Sequence, residues 1–308
     1  MVSRRKQFVW HRSLLLAFAV TLSASATLAA TDAGSLSKRL HQANFAPSDE
    51  SFGEPIDLAR QTFLAENLAP AVIEWHLARL SKLAAQLAAT GSVAGSDLDK
   101  TAAIHRFMYA QVLSGDYHAD AHSLAELLDS GRYNCLSATL LLVVLAARYE
   151  LPLVAVESPG HITAGLLQGD DITVVETTLP LWRPEHATKQ PQLAESDERP
   201  ISRRQLLAAV HYNRGWQLLR AGDFAAAVSA NAEALRLDRQ CTAAHKNLLA
   251  SLNNWAVALC AAKQYTQALE VLRAGQAIDG TFAPFEANRQ HVLRCAVQAV
   301  DRSNRAAK

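Results

Sequence analysis

Gly131-Arg132-Tyr133-Asn134-Cys135 opens a stretch that continues through an apolar run to Pro159-Gly160-His161 and then to Val174-Val175-Glu176-Thr177-Thr178. Asn is among the residue types that cap helix N-termini, so a helix is expected to begin at Cys135 and run to about Arg148. Leu136, Ala138 and residues 140–147 make that helix apolar nearly all round, which predicts burial on most faces. Pro152 ends the run, and residues 153–156 read as a buried strand. Residues 161–167 and 172–176 read as two more strands, joined across Gly169-Asp170 by a two-residue hairpin turn. Such a turn sets Gln168 opposite Asp171 and Thr163 opposite Glu176. His161 and Glu176 then share a sheet face as diagonal neighbours, about 7–8 Å apart. A slip of one residue would place them on opposite faces.

One cysteine, one histidine and one carboxylate therefore follow in order, each at the edge of an expected element. A thiolate attacks acyl carbons and a thiol barely does. The free N–H groups and dipole of a helix N-terminus favour a thiolate at Cys135. The same N–H groups are placed to stabilise an oxyanion. His161 is the candidate base and Glu176 the candidate acid that orients it. Taken singly, each has a plainer reading. Cys135 suits a small core position, His161 a strand end, and Glu176 a salt bridge to a surface arginine. The ordered trio is what favours the catalytic reading.

Helical spacing marks the chain before this stretch. Ile56, Leu58, Ala59 and Phe63 fit one short helix, and Val72, Ile73, Trp75, Leu77, Leu80, Leu83 and Leu87 fit a longer one. Ser96-Asp97 cap another that passes through Ile104, Phe107, Met108 and Val112 to end near Gly115. A short helix over residues 123–128 leads to Gly131. Between them, His118, Asp120 and His122 alternate as ligands in an extended segment would, yet no second ligand cluster lies nearby. A solvated loop is the favoured reading, so no metal and no cofactor are expected.

Beyond the stretch, residues 179–203 hold Pro180, Pro184, Pro191 and Pro200 and read as an interdomain linker or a wrapping segment. From Ile201 the pattern is a helical repeat. Tyr212-Asn213-Arg214-Gly215-Trp216 runs on through Gly222-Asp223-Phe224, Ala227 and Ala234-Leu235. A second copy holds Asn254-Trp255-Ala256, Tyr265, Ala268-Leu269 and Ala277-Ile278-Asp279. The small residues Gly215, Ala227, Ala234, Ala256 and Ala268 stand where two helices must approach closely. A final helix over residues 286–300 caps the stack.

Two resemblances attach to these residues. The run from Gly131 to Thr139, Pro159-Gly160-His161 and Val175-Glu176-Thr177-Thr178 resemble the transglutaminase-like superfamily, most of all a bacterial branch that often carries tetratricopeptide repeats. The resemblance covers about residues 102–180. It implies an α+β fold with a papain-like core, in which a central helix carries the nucleophile and packs on an antiparallel sheet carrying the base and the acid. It implies that Cys135, His161 and Glu176 are nucleophile, base and orienting acid, although transglutaminases proper have Asp in the third role. Residues 210–280 resemble the tetratricopeptide repeat, whose period is about 34 residues. Phe224 and Tyr265 are 41 apart here, which implies two extra turns in the helix over residues 242–262.

Composition bounds the rest. The chain has 308 residues, enough for about two domains. Half are hydrophobic and 19% charged, so a sizeable core is available. Arg4, Arg5, Lys6 and Arg12, the apolar residues 14–22 and the small residues up to Ala30 have the layout of a secretory signal peptide. An uncleaved anchor is the other reading, but the apolar core is short for one. Removing those four positive charges from a net +1 leaves −3, which excludes a charge-based case for nucleic-acid binding. The four cysteines are too few for a disulfide-built scaffold. Cys260 and Cys295 stand as a pair that spacing neither forms nor forbids. Cys241 and Cys260 would lie about 28 Å apart on one straight helix.

The expected organisation is a signal peptide over residues 1–30, a flexible lead-in over 31–54, a transglutaminase-like domain over 55–180, a linker over 181–203 and a tetratricopeptide repeat domain over 204–308. The expected function is an exported, periplasmic or secreted, thiol-dependent enzyme. It would act on amide bonds of a protein or peptide by hydrolysis or acyl transfer. The repeats would bind a protein or peptide partner, with no stable membrane insertion after signal cleavage. The alternative is an inactive scaffold whose repeats mediate protein–protein interaction.

Overall fold

The computed structural model describes residues 55–169, 171–183, 189–191 and 198–306. The expected signal peptide and lead-in, and Asp170 of the hairpin turn, lie outside the described residues. The fold is α+β, mostly helical, with one small antiparallel sheet. In order come α1 (Pro55–Ala65), α2 (Pro70–Ala89), α3 (Asp97–Gln111), α4 (Leu124–Ser130) and α5 (Cys135–Ala146). Then come β1 (Leu153–Ser158), β2 (His161–Gln168), β3 (Asp171–Val175), β4 (Lys189–Pro191) and β5 (Arg199–Ile201). Five helices complete the chain: α6 (Arg203–Ala221), α7 (Phe224–Leu237), α8 (Thr242–Ala261), α9 (Tyr265–Ile278) and α10 (Ala283–Ala306).

Helix α5 is the hub. It begins where expected, because Asn134 is extended and its Oδ1 accepts from the Ser137 N–H at 3.1 Å. Ser137 Oγ accepts in return from the Asn134 N–H at 3.0 Å, closing a capping box. Both side chains also hold the preceding loop. Asn134 Nδ2 donates to the Ala119 carbonyl at 3.0 Å, and Ser137 Oγ donates to the Ala121 carbonyl at 2.8 Å. Every residue from Leu136 to Ala146 is buried. The helix needs cover on all sides, and α1, α3, α4, α6, β1 and β2 supply it.

The strand order is β4-β3-β2-β1-β5, with every pairing antiparallel. The hairpin register of β2 and β3 runs from Gln168 opposite Asp171 to Ala164 opposite Val175, as the sequence predicts. At the other end of β2, Ser158 pairs with His161, so Pro159-Gly160 is a two-residue turn. Proline holds φ near −65° and Gly160 takes φ +76°, a value side chains rarely adopt. Along β2, Gly165 is required for space. A Cβ there would stand 2.6 Å from Ile172 Cγ2 and 2.8 Å from Val156 Cγ2.

The segment over residues 181–203, read as an interdomain linker or a wrapping segment, takes part in the sheet. It supplies both edge strands, β4 against β3 and β5 against β1. Before them Trp182 is buried and its Nε1 donates to the Val174 carbonyl at 3.2 Å. Strands of three residues give little periodicity to read, which is why the prolines dominated that expectation.

Helices α6 to α10 pack in sequence, each on the next, with α6 also touching α8 and α8 touching α10. Helix α8 is 20 residues long against 14 for α7 and α9, consistent with the extra turns read from the spacing. Ala227, Ala234, Ala256 and Ala268 are fully buried at the contacts. Gly215 faces Asn231, whose Nδ2 would lie 2.3 Å from an added Cβ. These helices do not hang free of the sheet half. Arg214 donates to the Ala65 carbonyl of α1 at 2.6 Å. Arg199 of β5 joins Glu157 of β1 at 2.7 Å and Asp238 after α7 at 3.1 Å. One hydrophobic cluster runs from α1 to α10. Among the described residues, no helix is long and apolar enough to cross a membrane.

Gly275 tests the packing of α9 on α10. A Cβ there would come within 2.4 Å of Cζ of the fully buried Phe285. Gly275→Ala is expected to destabilise by about 1–3 kcal/mol despite alanine's better helix propensity. Gly280→Ala meets only Gln276 O at 3.5 Å and should stay within about 0.5 kcal/mol of the parent. Urea midpoints of the two variants check the contrast.

Candidate active site

Cys135 is the first residue of α5 and is half-buried. His161 is the first residue of β2, and Glu176 follows the last residue of β3. Since Ala164 pairs with Val175, the next step of the ladder sets Glu176 beside Thr163 and diagonal to His161. The side chains close that gap. His161 Nε2 and Glu176 Oε2 are 2.9 Å apart. The carboxylate's other oxygen, Oε1, accepts from Thr178 N at 2.9 Å and Thr178 Oγ1 at 2.6 Å. Thr178, the last residue of the quoted stretch, thereby fixes the acid that faces the histidine.

The electrostatics follow from these contacts. The Cys135 thiol and then the Glu176 carboxylate favour the imidazolium of His161 over the opposing effect of burial, and its pKa is raised to about 10. Burial works against ionisation of Glu176, but the bonds from His161 and Thr178 outweigh it and hold the carboxyl below its ordinary value. With Nε2 committed to Glu176, Nδ1 is the ring nitrogen left for the thiol. The structure thus brings the three sequence-singled residues to one place.

Several neighbours have contacts that the sequence does not assign. Thr139, one turn into α5, shares a 2.9 Å hydrogen bond with Thr177, so the helix grips the strand end next to Glu176. Tyr109 donates to the Thr177 carbonyl at 3.0 Å. An aromatic chain runs from Trp182 through His105, Tyr109 and Tyr133 to Tyr117, with ring centroids 5.1 to 6.1 Å apart. Tyr117 ends the chain half-exposed. Burial raises its hydroxyl pKa, and the nearness of Cys135 and Glu176 adds to that. The loop carrying Tyr117 reads as solvated in sequence. What holds it is a parallel bridge between Tyr117 and Tyr133 and the His118 N–H bond to the Tyr133 carbonyl at 2.9 Å. His105 is wholly buried among these rings, and burial lowers its pKa to about 4, so it is neutral at physiological pH. His118, Asp120 and His122 do not bring ligand atoms together as a metal-binding group among the described residues.

Compared with known proteins, the chain matches no family model, no curated protein and no solved structure.

The His161–Glu176 pair gives a pH signature. His161 has a folded pKa above its ordinary 6.5, so its contribution to stability is complete below about pH 6.5 and is lost as pH rises through about 10. Glu176 has a lowered pKa, so its share is present above its ordinary 4.5 and is lost as pH falls through its folded value. The difference in unfolding free energy between the parent and His161→Gln should therefore plateau between these limits and shrink toward pH 10. A difference that is flat across the alkaline range would refute the raised pKa of His161, which Cys135 and Glu176 together produce. Separately, Asn134→Ala removes the cap of α5 and should cost about 1–2 kcal/mol in urea unfolding.

Proposed function

We propose that this chain is a thiol-dependent enzyme acting on amide bonds of a protein or peptide. The observation that carries the proposal is the His161 Nε2 to Glu176 Oε2 contact of 2.9 Å beside a cysteine at the N-terminus of a capped helix. In this reading the Cys135 thiolate attacks the amide carbonyl carbon. The resulting oxyanion meets backbone N–H groups of the first turn of α5. The capping box uses those of Asn134 and Ser137, and Ala138 bonds the Asn134 carbonyl. The N–H groups of Cys135 and Leu136 are the ones it leaves. The His161 imidazolium then gives its proton to the departing amine, and a thioester with Cys135 remains. The now neutral imidazole takes a proton from water or from an acceptor amine as either attacks the thioester. This regenerates the ion pair and releases acid or a new amide. Glu176 stays ionised and keeps the ring oriented.

The motif resemblance to the transglutaminase-like superfamily supports this chemistry, as does the placement of a helix-borne cysteine against an antiparallel sheet. Within the same proposal, α6 to α9 are two tetratricopeptide-like helix pairs with α10 as the cap. They bind a protein or peptide, which is the substrate or a partner that brings it. The chain works in an exported, periplasmic or extracellular setting.

Alkylation by low iodoacetamide across pH tests the site. A free thiol is only about 1% thiolate two pH units below a pKa of about 8.5. A thiol whose proton passes to His161 is expected to react about tenfold faster than that at pH 6.5. His161→Ala should lose it, and Glu176→Gln should lose part of it. A Cys135 that reacts no faster than a free thiol, with no change in His161→Ala, would overturn the enzyme reading and leave the scaffold.

A further inference from the structure

Three potential metal ligands converge at the other end of the molecule, on helices the catalytic proposal does not use for chemistry. Cys260 lies in the last turn of α8, buried, and His291 and Cys295 lie on α10, exposed and half-buried. Their ligand atoms all lie within 4.8 Å of one another. His291 and Cys295 are four residues apart, so they share one face of α10. Cys295 Sγ and His291 Nε2 are 3.5 Å apart. All four cysteines are free thiols.

We infer that Cys260, His291 and Cys295 form a binding site for a zinc-class divalent cation that ties α10 to α8. The geometry matches that ion. Tetrahedral Zn²⁺ takes bonds of about 2.3 Å to sulfur and about 2.0–2.1 Å to nitrogen, which places adjacent sulfur and nitrogen ligands about 3.5–3.6 Å apart. Two thiolates and an imidazole are the donors that select zinc over calcium or magnesium. The arrangement is also held independently of the ligands themselves. Asn288 Nδ2 donates to Asn253 Oδ1 at 2.7 Å across the same two helices. Asn253 to Cys260 and Asn288 to Cys295 are each seven residues, so the cysteine pair repeats the asparagine pair two turns further on. The exposed side of His291 leaves room for water or an outside ligand as the fourth donor. Binding converts both thiols to thiolates and releases their two protons. Because those protons must leave, uptake should strengthen as pH rises.

The test is cobalt titration of the whole chain, purified under reducing, metal-free conditions, in a Cys135→Ser background. Co²⁺ is expected to bind one per chain with the visible bands and thiolate charge-transfer absorption of a tetrahedral site, and Zn²⁺ to displace it. Cys260→Ser and Cys295→Ser should each abolish the thiolate absorption. His291→Gln, a change at an exposed position, should weaken binding about tenfold or more, since even outer partners of a metal ligand contribute that much. Helix content by circular dichroism shows that each variant is folded. Three outcomes overturn the inference: no thiolate absorption in the reduced protein, absorption that survives either cysteine substitution, or a Cys260–Cys295 disulfide whose reduced form remains metal-free.

Discussion

The reciprocal bonding of Asn134 and Ser137 is the constraint on which the rest of this structure depends. It fixes where α5 begins, and hence which residue stands at the open end of the helix. Both side chains are buried and both also bond loop carbonyls, at Ala119 and Ala121. The loop, the helix start and Cys135 are therefore positioned together. A helix as apolar as α5 has no polar face to set its rotation. Its orientation comes from this cap at one end and, one helical turn later, from the Thr139–Thr177 bond to the turn that follows β3. The same two contacts set the spacing between the thiol and the histidine–carboxylate pair.

The second determinant is the hairpin register. Glu176 lies outside any strand, yet its position follows from the Ala164–Val175 pair by one step. Its orientation follows from Thr178, whose backbone and hydroxyl both take Oε1. That leaves Oε2 for His161. Pro159-Gly160 performs the matching service on the other side, turning the chain so that His161 is the first residue of β2. Two short turns thus place the pair, and the sheet beneath them is kept close by the missing side chain of Gly165.

Much of this was legible because it is local. Asn134 before an apolar run signals a cap, and strand lengths around Gly169 signal a register. The ordered Cys135, His161 and Glu176 could be placed from those signals alone. The parts that were not legible depend on distant contacts. Strands β4 and β5 are three residues each and exist because β3 and β1 offer them edges. The aromatic chain from Trp182 to Tyr117 draws on residues up to 77 positions apart, His105 and Trp182, and no periodicity marks it. The tie between α6 and α1 runs through Arg214 and the Ala65 carbonyl, a bond between an ordinary arginine and a backbone oxygen. The convergence of Cys260, His291 and Cys295 likewise needed the crossing of α8 and α10, which spacing alone leaves open.

The all-round burial of α5 also makes the two parts of the chain on either side of it depend on each other. Its cover comes partly from α1, α3 and α4, made before it, and partly from β1, β2 and α6, made after it. Short helices are marginal in water without a packing partner. The elements that precede α5 can therefore cover only part of its apolar surface, and the contacts that complete the cover reach across α5 itself. His161 and Glu176 both belong to the part of the chain that follows α5. The site consequently needs both sides of that divide, since the cysteine comes from one and its base and acid from the other.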